Sequence, residues 1–173
     1  EDQVIKRTVD GIQKENLDYK GFIFAGLMNV EGNPFVIEYN VRMGDPETQV
    51  VIPRIKNDLL EVINDCLENN LKEVTLDIDN RFVTTVILAA DGYPNNYNKG
   101  DEIENLSEEI NTKIFHAGTK SLDDKILSNG GRVLACTGFG DGINEALSNS
   151  YKIAKKISWN NKYFRNDIGK DLI

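Results

Sequence analysis

Val4, Ile5, Val9 and Ile12 fall on one stripe of a 3.6-residue repeat, so Glu1 to Asn16 is predicted to form an amphipathic helix. The pattern breaks at Leu17 to Gly21. GFIFAGLMNV, residues 21–30, reads as a strand rich in aromatic and β-branched residues, with Ala25 and Gly26 inside it. Glu31 to Pro34 is turn chemistry, and FVIEYNVRM, residues 35–43, reads as a second strand, so the two make a hairpin. Gly44-Asp45-Pro46 ends that strand. A short helix disturbed by Pro53 is expected from Gln49 to Ile55. A firmer one runs from Asp58 to Asn70, with Asp58 and Glu61 spaced as a capping box and Leu59, Leu60, Ile63, Cys66 and Leu67 as its apolar face.

After a transitional stretch at residues 71–81, FVTTVILAA (82–90), KIFHAGT (113–119) and RVLACTGFG (132–140) read as strands. Asp141 is expected to cap a last helix that buries Ile143, Ala146, Leu147, Ser150, Ala154 and Ile157. The tail, with Trp159, Tyr163 and Phe164, is expected to dock on the body. Strands and helices do not alternate throughout, so the class is α+β rather than a doubly wound sheet. The expected domains are 1–72 and 73–173.

Alternation along the second strand puts Glu38, Asn40 and Arg42 on one face and Ile37, Tyr39, Val41 and Met43 on the other, facing a core. A carboxylate and an amide oxygen are hard ligands suited to Mg²⁺, which takes few protein oxygens and fills its shell with water and nucleotide phosphate. Arg42 could hold a phosphate oxygen through its fork of donors. The spacing alone favours a plainer reading, a sheet with one solvated face. Asp45 and Glu47 read either as a helix cap and a first-turn acid or as carboxylates that bind an amine near the metal.

The chain has 173 residues, 40% hydrophobic, with 20 Lys and Arg against 28 Asp and Glu, a net charge of −8. That excess disfavours nucleic acid and anionic membranes as partners. Nothing is long and apolar enough to span a bilayer, and no signal peptide opens the chain, so a soluble cytoplasmic protein is expected. The chain opens without Met, directly in a helical pattern, as a piece of a longer protein or a trimmed chain would. Cys66 and Cys136 form neither a disulfide framework nor a metal-ligand spacing and read as buried, reduced thiols.

FVIEYNVRMGDPETQ, preceded by YKGFIFAGLM and followed in order by GYP, KGDEI, FHAGT, NGGRVL and RNDIG, closely resembles the C-terminal part of the phosphoribosylamine–glycine ligases. These belong to the ATP-grasp superfamily, and the resemblance covers nearly the whole chain. It implies the end of an ATP-grasp domain with antiparallel strands, followed by a small closing α+β domain. It also implies an ATP-dependent purine-biosynthesis reaction in which glycine is activated as an acyl phosphate and joined to 5-phosphoribosylamine. On the matching residues, Glu38 and Asn40 become ligands of Mg²⁺ or Mn²⁺, Arg42 a catalytic contact to the transferred phosphate, and Asp45 and Glu47 substrate-side residues.

Two departures stand out. Many ATP-grasp relatives carry another metal-binding acid roughly a dozen residues before the Glu, by analogy of fold; FIFAGLM has none. The substrate-binding domain and nucleotide lid that precede this part in the family are not in the chain, so the chain alone is expected to be inactive and to need the missing N-terminal part. The alternatives are another ATP-grasp carboxylate–amine ligase and a non-catalytic assembly module. Of the remaining features, GFGDG (138–142) reads as a tight turn with Asp141 as cap rather than a phosphate loop. His116 reads as structural rather than catalytic. Arg132 reads equally as a substrate-phosphate contact or a surface residue, Tyr93 as packing, and the acids of residues 101–110 as a solvated run.

Overall fold

The computed structural model describes residues 2–172; Glu1, where the expected first helix begins, and Ile173 lie outside the described residues. A π-helical turn at Asp2–Lys6 leads into α1 (Arg7–Lys14). The strands are β1 (Phe24–Val30), β2 (Asn33–Asn40), β3 (Phe82–Ala90), β4 (Thr112–His116), β5 (Thr119–Leu122), β6 (Lys125–Ser128), β7 (Arg132–Gly140) and β8 (Lys162–Tyr163). The remaining α-helices are α2 (Thr48–Val51), α3 (Leu59–Leu67) and α4 (Ile143–Lys156). The chain divides into two compact units. One comprises the residues up to Glu47 with Ile55–Asp77, the other Thr48–Arg54 with the residues from Ile78 onward.

The second unit is built on an antiparallel sheet of order β4-β7-β3-β8, with α4 packed against β3 and β7. Its core is Val86, Leu88, Val133, Leu134, Cys136, Ile153, Ala154 and Ile157, all fully buried. Each of the larger aliphatic side chains contributes roughly 1.5–3 kcal/mol by leaving water. The helix sits this close because β7 ends in glycines. A Cβ on Gly138 would stand 2.4 Å from the Ser150 nitrogen and 2.5 Å from the Ala146 oxygen. The GFGDG segment is therefore mostly strand, shaped for helix contact. Asp141 is not the helix cap: Gly142 occupies that position, and the Asp141 N–H instead donates to Glu145 Oε2 at 2.8 Å.

The β5–β6 hairpin was not foreseen. Its two-residue loop, Asp123-Asp124, has both residues at positive φ, +48° and +61°. That is the geometry a tight hairpin demands, but without the glycine that usually signals it. The acidic run is also more than a solvated face. Ile103 is buried, and its N–H donates to Ile126 O at 2.8 Å, while the acids stay at the surface. Glu109 there receives Lys156 at 3.1 Å and also pairs with Lys152.

The tail docks as expected: Trp159 is buried and Phe164 packs on the core. Lys162 Nζ donates to the Ala154 carbonyl at 2.8 Å and to the Ile157 carbonyl, satisfying the end of α4 from the edge strand. Burial holds this ammonium below its ordinary pKa.

In the first unit, β1 and β2 pair antiparallel around a two-residue turn, Glu31-Gly32, both at positive φ. Asp58 caps α3 as expected, its carboxylate accepting from the N–H groups of Leu60 at 2.9 Å and Glu61 at 3.4 Å. The apolar face of β2 does not reach a core, however. Ile37, Tyr39 and Val41 are 64%, 50% and 74% exposed, and Val4 is the one buried hydrophobic residue of this unit among the described residues. A two-stranded hairpin with two short helices has too little chain to cover its own apolar surface. Cys66 is accordingly only half-buried, while Cys136 is buried as expected.

Candidate functional site

Glu38 and Asn40 lie near the end of β2, opposite Gly26 and Phe24 of β1. The Asn40 Nδ2 donates to Glu38 Oε1 at 3.0 Å, so the alternation expected from the sequence brings these two polar groups into contact. A bulge interrupts the register just before them: Gly26 pairs with Glu38 but Leu27 with Val36, which leaves Ile37 as the extra residue. β2 stops at Asn40, so the shared face does not extend to Arg42. That side chain bends back, and its Nη1 donates to the Met43 carbonyl at 2.9 Å. Glu38 and Arg42 are exposed and Asn40 is half-buried.

The acidic turn follows, with a cis Asp45–Pro46 peptide. Gly44 is buried, and the Glu47 carboxylate lies over it. A Cβ there would stand 2.3 Å from Glu47 Oε2 and 2.9 Å from the Phe24 ring. Glu47 is thus folded toward β1, beside the residue that pairs with Asn40, and both it and Asp45 are exposed.

As a metal donor set the strand pair fits Mg²⁺ in part. The described residues contain no group of three or more His, Cys, Asp and Glu able to hold an ion. Glu38 and Asn40 offer one carboxylate and one amide oxygen, the small protein share that Mg²⁺ accepts when phosphate and water complete its shell. The amide now presents nitrogen to Glu38, so a half-turn of its terminal bond would bring both oxygens to an ion.

In the second unit, three of the short sequence pieces meet. The Gly118 N–H donates to the Arg132 carbonyl at 2.9 Å, and the Asn129 N–H donates to the Gly118 carbonyl at 2.7 Å. A Cβ on Gly118 would stand 2.6 Å from Gly130 Cα, so FHAGT and NGGR touch backbone to backbone. GYP joins them through Tyr93, which follows Gly92 and precedes a cis Tyr93–Pro94 bond. Its ring packs on Gly131 and its hydroxyl accepts from Arg132 Nε at 3.4 Å. The Nδ1 of His116 lies 3.0 Å from Thr119 Oγ1, a local bond that suits a structural histidine.

Residues 83–171, just over half the chain, match the family model of the phosphoribosylglycinamide synthetase C domain. The chain belongs to this synthetase family. Residues 1–48 match the model of the phosphoribosylglycinamide synthetase ATP-grasp (A) domain. Among similar synthetases, the phosphoribosylamine–glycine ligase of Vibrio parahaemolyticus is 46% identical over 171 residues, covering 97% of this chain and 40% of the relative. The ligase of Fusobacterium nucleatum is 42% identical over 170 residues, with 96% and 40% covered. A bifunctional purine biosynthetic protein of Pichia angusta is 45% identical over 170 residues, covering 95% of this chain and 21% of its own length. The crystal structure of phosphoribosylamine–glycine ligase from Thermotoga maritima superposes with a TM-score of 0.80 at 34% identity, covering 96% of this chain and 41% of that one. The chain thus spans about two fifths of the single-function synthetases it matches. The α+β class expected from the sequence agrees with these matches and with the antiparallel sheets. No helix among the described residues is long and apolar enough to cross a membrane.

Sequence reasoning passed over three of the residues that shape these sites, Gly44, Gly131 and the Tyr93 hydroxyl. The available signal was a glycine beside a charged or bulky residue, which marks close approach but does not say to what.

Proposed function

We propose that the chain is the C-terminal part of an ATP-dependent phosphoribosylamine–glycine ligase, and that it is inactive without the part that precedes it in its relatives. In this reading residues 1–72 end an ATP-grasp domain and residues 73–173 form the C-terminal domain. The matches at 1–48 and 83–171 support that division. A glycine carboxylate oxygen attacks the γ-phosphorus of ATP, releasing ADP and forming glycyl phosphate. The amine of 5-phosphoribosylamine then attacks the acyl carbon and phosphate departs, leaving glycinamide ribonucleotide. Protein catalysis of such a transfer is mainly positioning and charge neutralisation.

Glu38 and Asn40 would hold Mg²⁺ or Mn²⁺, which supplies Lewis-acid neutralisation of the phosphoryl oxygens when bound. Arg42 contacts the transferred phosphate. This requires its guanidinium to turn from the Met43 carbonyl. Asp45 and Glu47 receive the amine-bearing substrate, and Arg132 holds a substrate phosphate. A cytoplasmic setting accords with the free thiols at Cys66 and Cys136. The observation that carries this reading is the Glu38–Asn40 contact at 3.0 Å on one strand face, in a chain of this family.

The test uses the 173-residue chain and a ligase that contains it. The chain alone should form no glycinamide ribonucleotide from ATP, glycine and 5-phosphoribosylamine; product formation would refute its inactivity. In the ligase, Glu38→Ala should nearly abolish turnover and weaken the metal dependence. Near-normal activity would remove Glu38 from the metal role.

A further inference from the structure

Gly26 stands directly opposite Glu38 in the β1–β2 ladder, where paired side chains share a face at close range. Its backbone does not explain its identity. The chain's left-handed glycines are Gly21, Gly32, Gly92, Gly100 and Gly169, and Gly26 is not among them. The space above it does. A Cβ at this position would stand 3.0 Å from Glu38 Cγ, 3.7 Å from its carbonyl oxygen and 3.8 Å from its nitrogen. The Glu38 side chain therefore lies across the gap left by the missing Cβ, and from there Oε1 meets Asn40 Nδ2 at 3.0 Å.

We infer that Gly26 is the positioning residue of the cation site: by carrying no side chain it lets Glu38 fold across β1 and meet Asn40 as a paired oxygen donor set. The inference rests on the metal role proposed for Glu38 and Asn40. A Cβ at residue 26 would press on Glu38 Cγ at 3.0 Å, so the Glu38 side chain must give by a few tenths of an ångström and its contact with Asn40 is loosened. The gap also limits the protein's share of the site, because residue 26 supplies no donor of its own beside Glu38.

The test compares the 173-residue chain with its Gly26→Ala and Ala25→Gly variants. Residue 25 pairs with Tyr39 on the opposite face, so Ala25→Gly perturbs the same strand without touching Glu38. Folding of each is checked by circular dichroism. Two readouts are taken by NMR: hydrogen exchange of the Asn40 side-chain amide, and broadening of the Glu38 and Asn40 resonances by Mn²⁺. Gly26→Ala is expected to speed amide exchange several-fold and to raise the Mn²⁺ concentration for half-broadening about three- to tenfold, with Ala25→Gly close to wild type. If Gly26→Ala leaves both unchanged, the positioning role is overturned while the metal reading stands. If both variants change alike, the effect is one of strand stability, and the positioning role is again overturned. If Mn²⁺ broadens neither residue in the wild type, the metal role fails, and this inference with it, whatever the amide exchange shows.

Discussion

The ring of Tyr93 lies against Gly131 so closely that a Cβ on the glycine would stand 2.0 Å from Cδ2. Gly131→Ala must therefore expel the ring and break its hydroxyl's contact with Arg132 Nε. A loss of about 1–3 kcal/mol, the usual cost of overpacking, is expected in urea unfolding. Tyr93→Phe keeps the ring and should cost less than about 1 kcal/mol, in keeping with a single long hydrogen bond. A Gly131→Ala protein as stable as wild type would mean the loop yields freely.

Gly138 faces backbone rather than a ring. Its Cβ would meet the Ser150 nitrogen at 2.4 Å and the Ala146 oxygen at 2.5 Å, atoms that cannot swing aside. Gly138→Ala should lever α4 from the sheet and destabilise by about 3 kcal/mol or more, the upper end for overpacking. Gly11 is the control. It sits inside α1 with nothing within 4 Å, so Gly11→Ala should not destabilise, and by helix propensity should add roughly 0.5–1 kcal/mol to the helix. Melting of each variant, followed by circular dichroism, checks the contrast.

Burial pushes the Cys136 thiol up to about 12, opposed by the Lys162 charge. The sign follows. In the unfolded chain this thiol ionises near its ordinary value of about 8.5, while in the fold it stays protonated. Its contribution to stability is therefore whole below that value and is lost as pH climbs toward about 12. Cys136→Ala should flatten this alkaline decline, although it also costs packing. At pH 8, iodoacetamide should label half-buried Cys66 and leave Cys136 untouched until the protein is unfolded. Equal labelling of both in the native protein would contradict this burial.

The two units should differ in protection. Hydrogen exchange should be slowest in β3, β7 and α4, whose residues form the core, and faster in α1, β2 and α3, whose apolar faces are largely exposed. Uniform protection across the chain would count against this division.

Long periodic or β-branched runs were legible in the sequence. Residues 82–90 and 132–140 were bounded as the structure bounds them, because each is one continuous strand rich in apolar and β-branched residues. The cap at Asp58 was legible because its signal is local. The Asp123-Asp124 hairpin was not, because its positive φ values fall on residues other than glycine. The exposure of Ile37, Tyr39 and Val41 was not, because alternation says which residues share a face and not whether anything covers it. At the site, alternation paired Glu38 with Asn40 correctly but overran the strand end at Arg42. The bulge at Ile37 and the gap at Gly26 belong to the facing strand's register, which pattern along one strand does not contain.

Lys162 ties two structures at once, since it belongs to the edge strand β8 and its ammonium closes the carbonyl end of α4. A protease cut just before it would release the sheet edge and unfasten the helix in one event. Residues 162–172 therefore act as a clasp on the second unit.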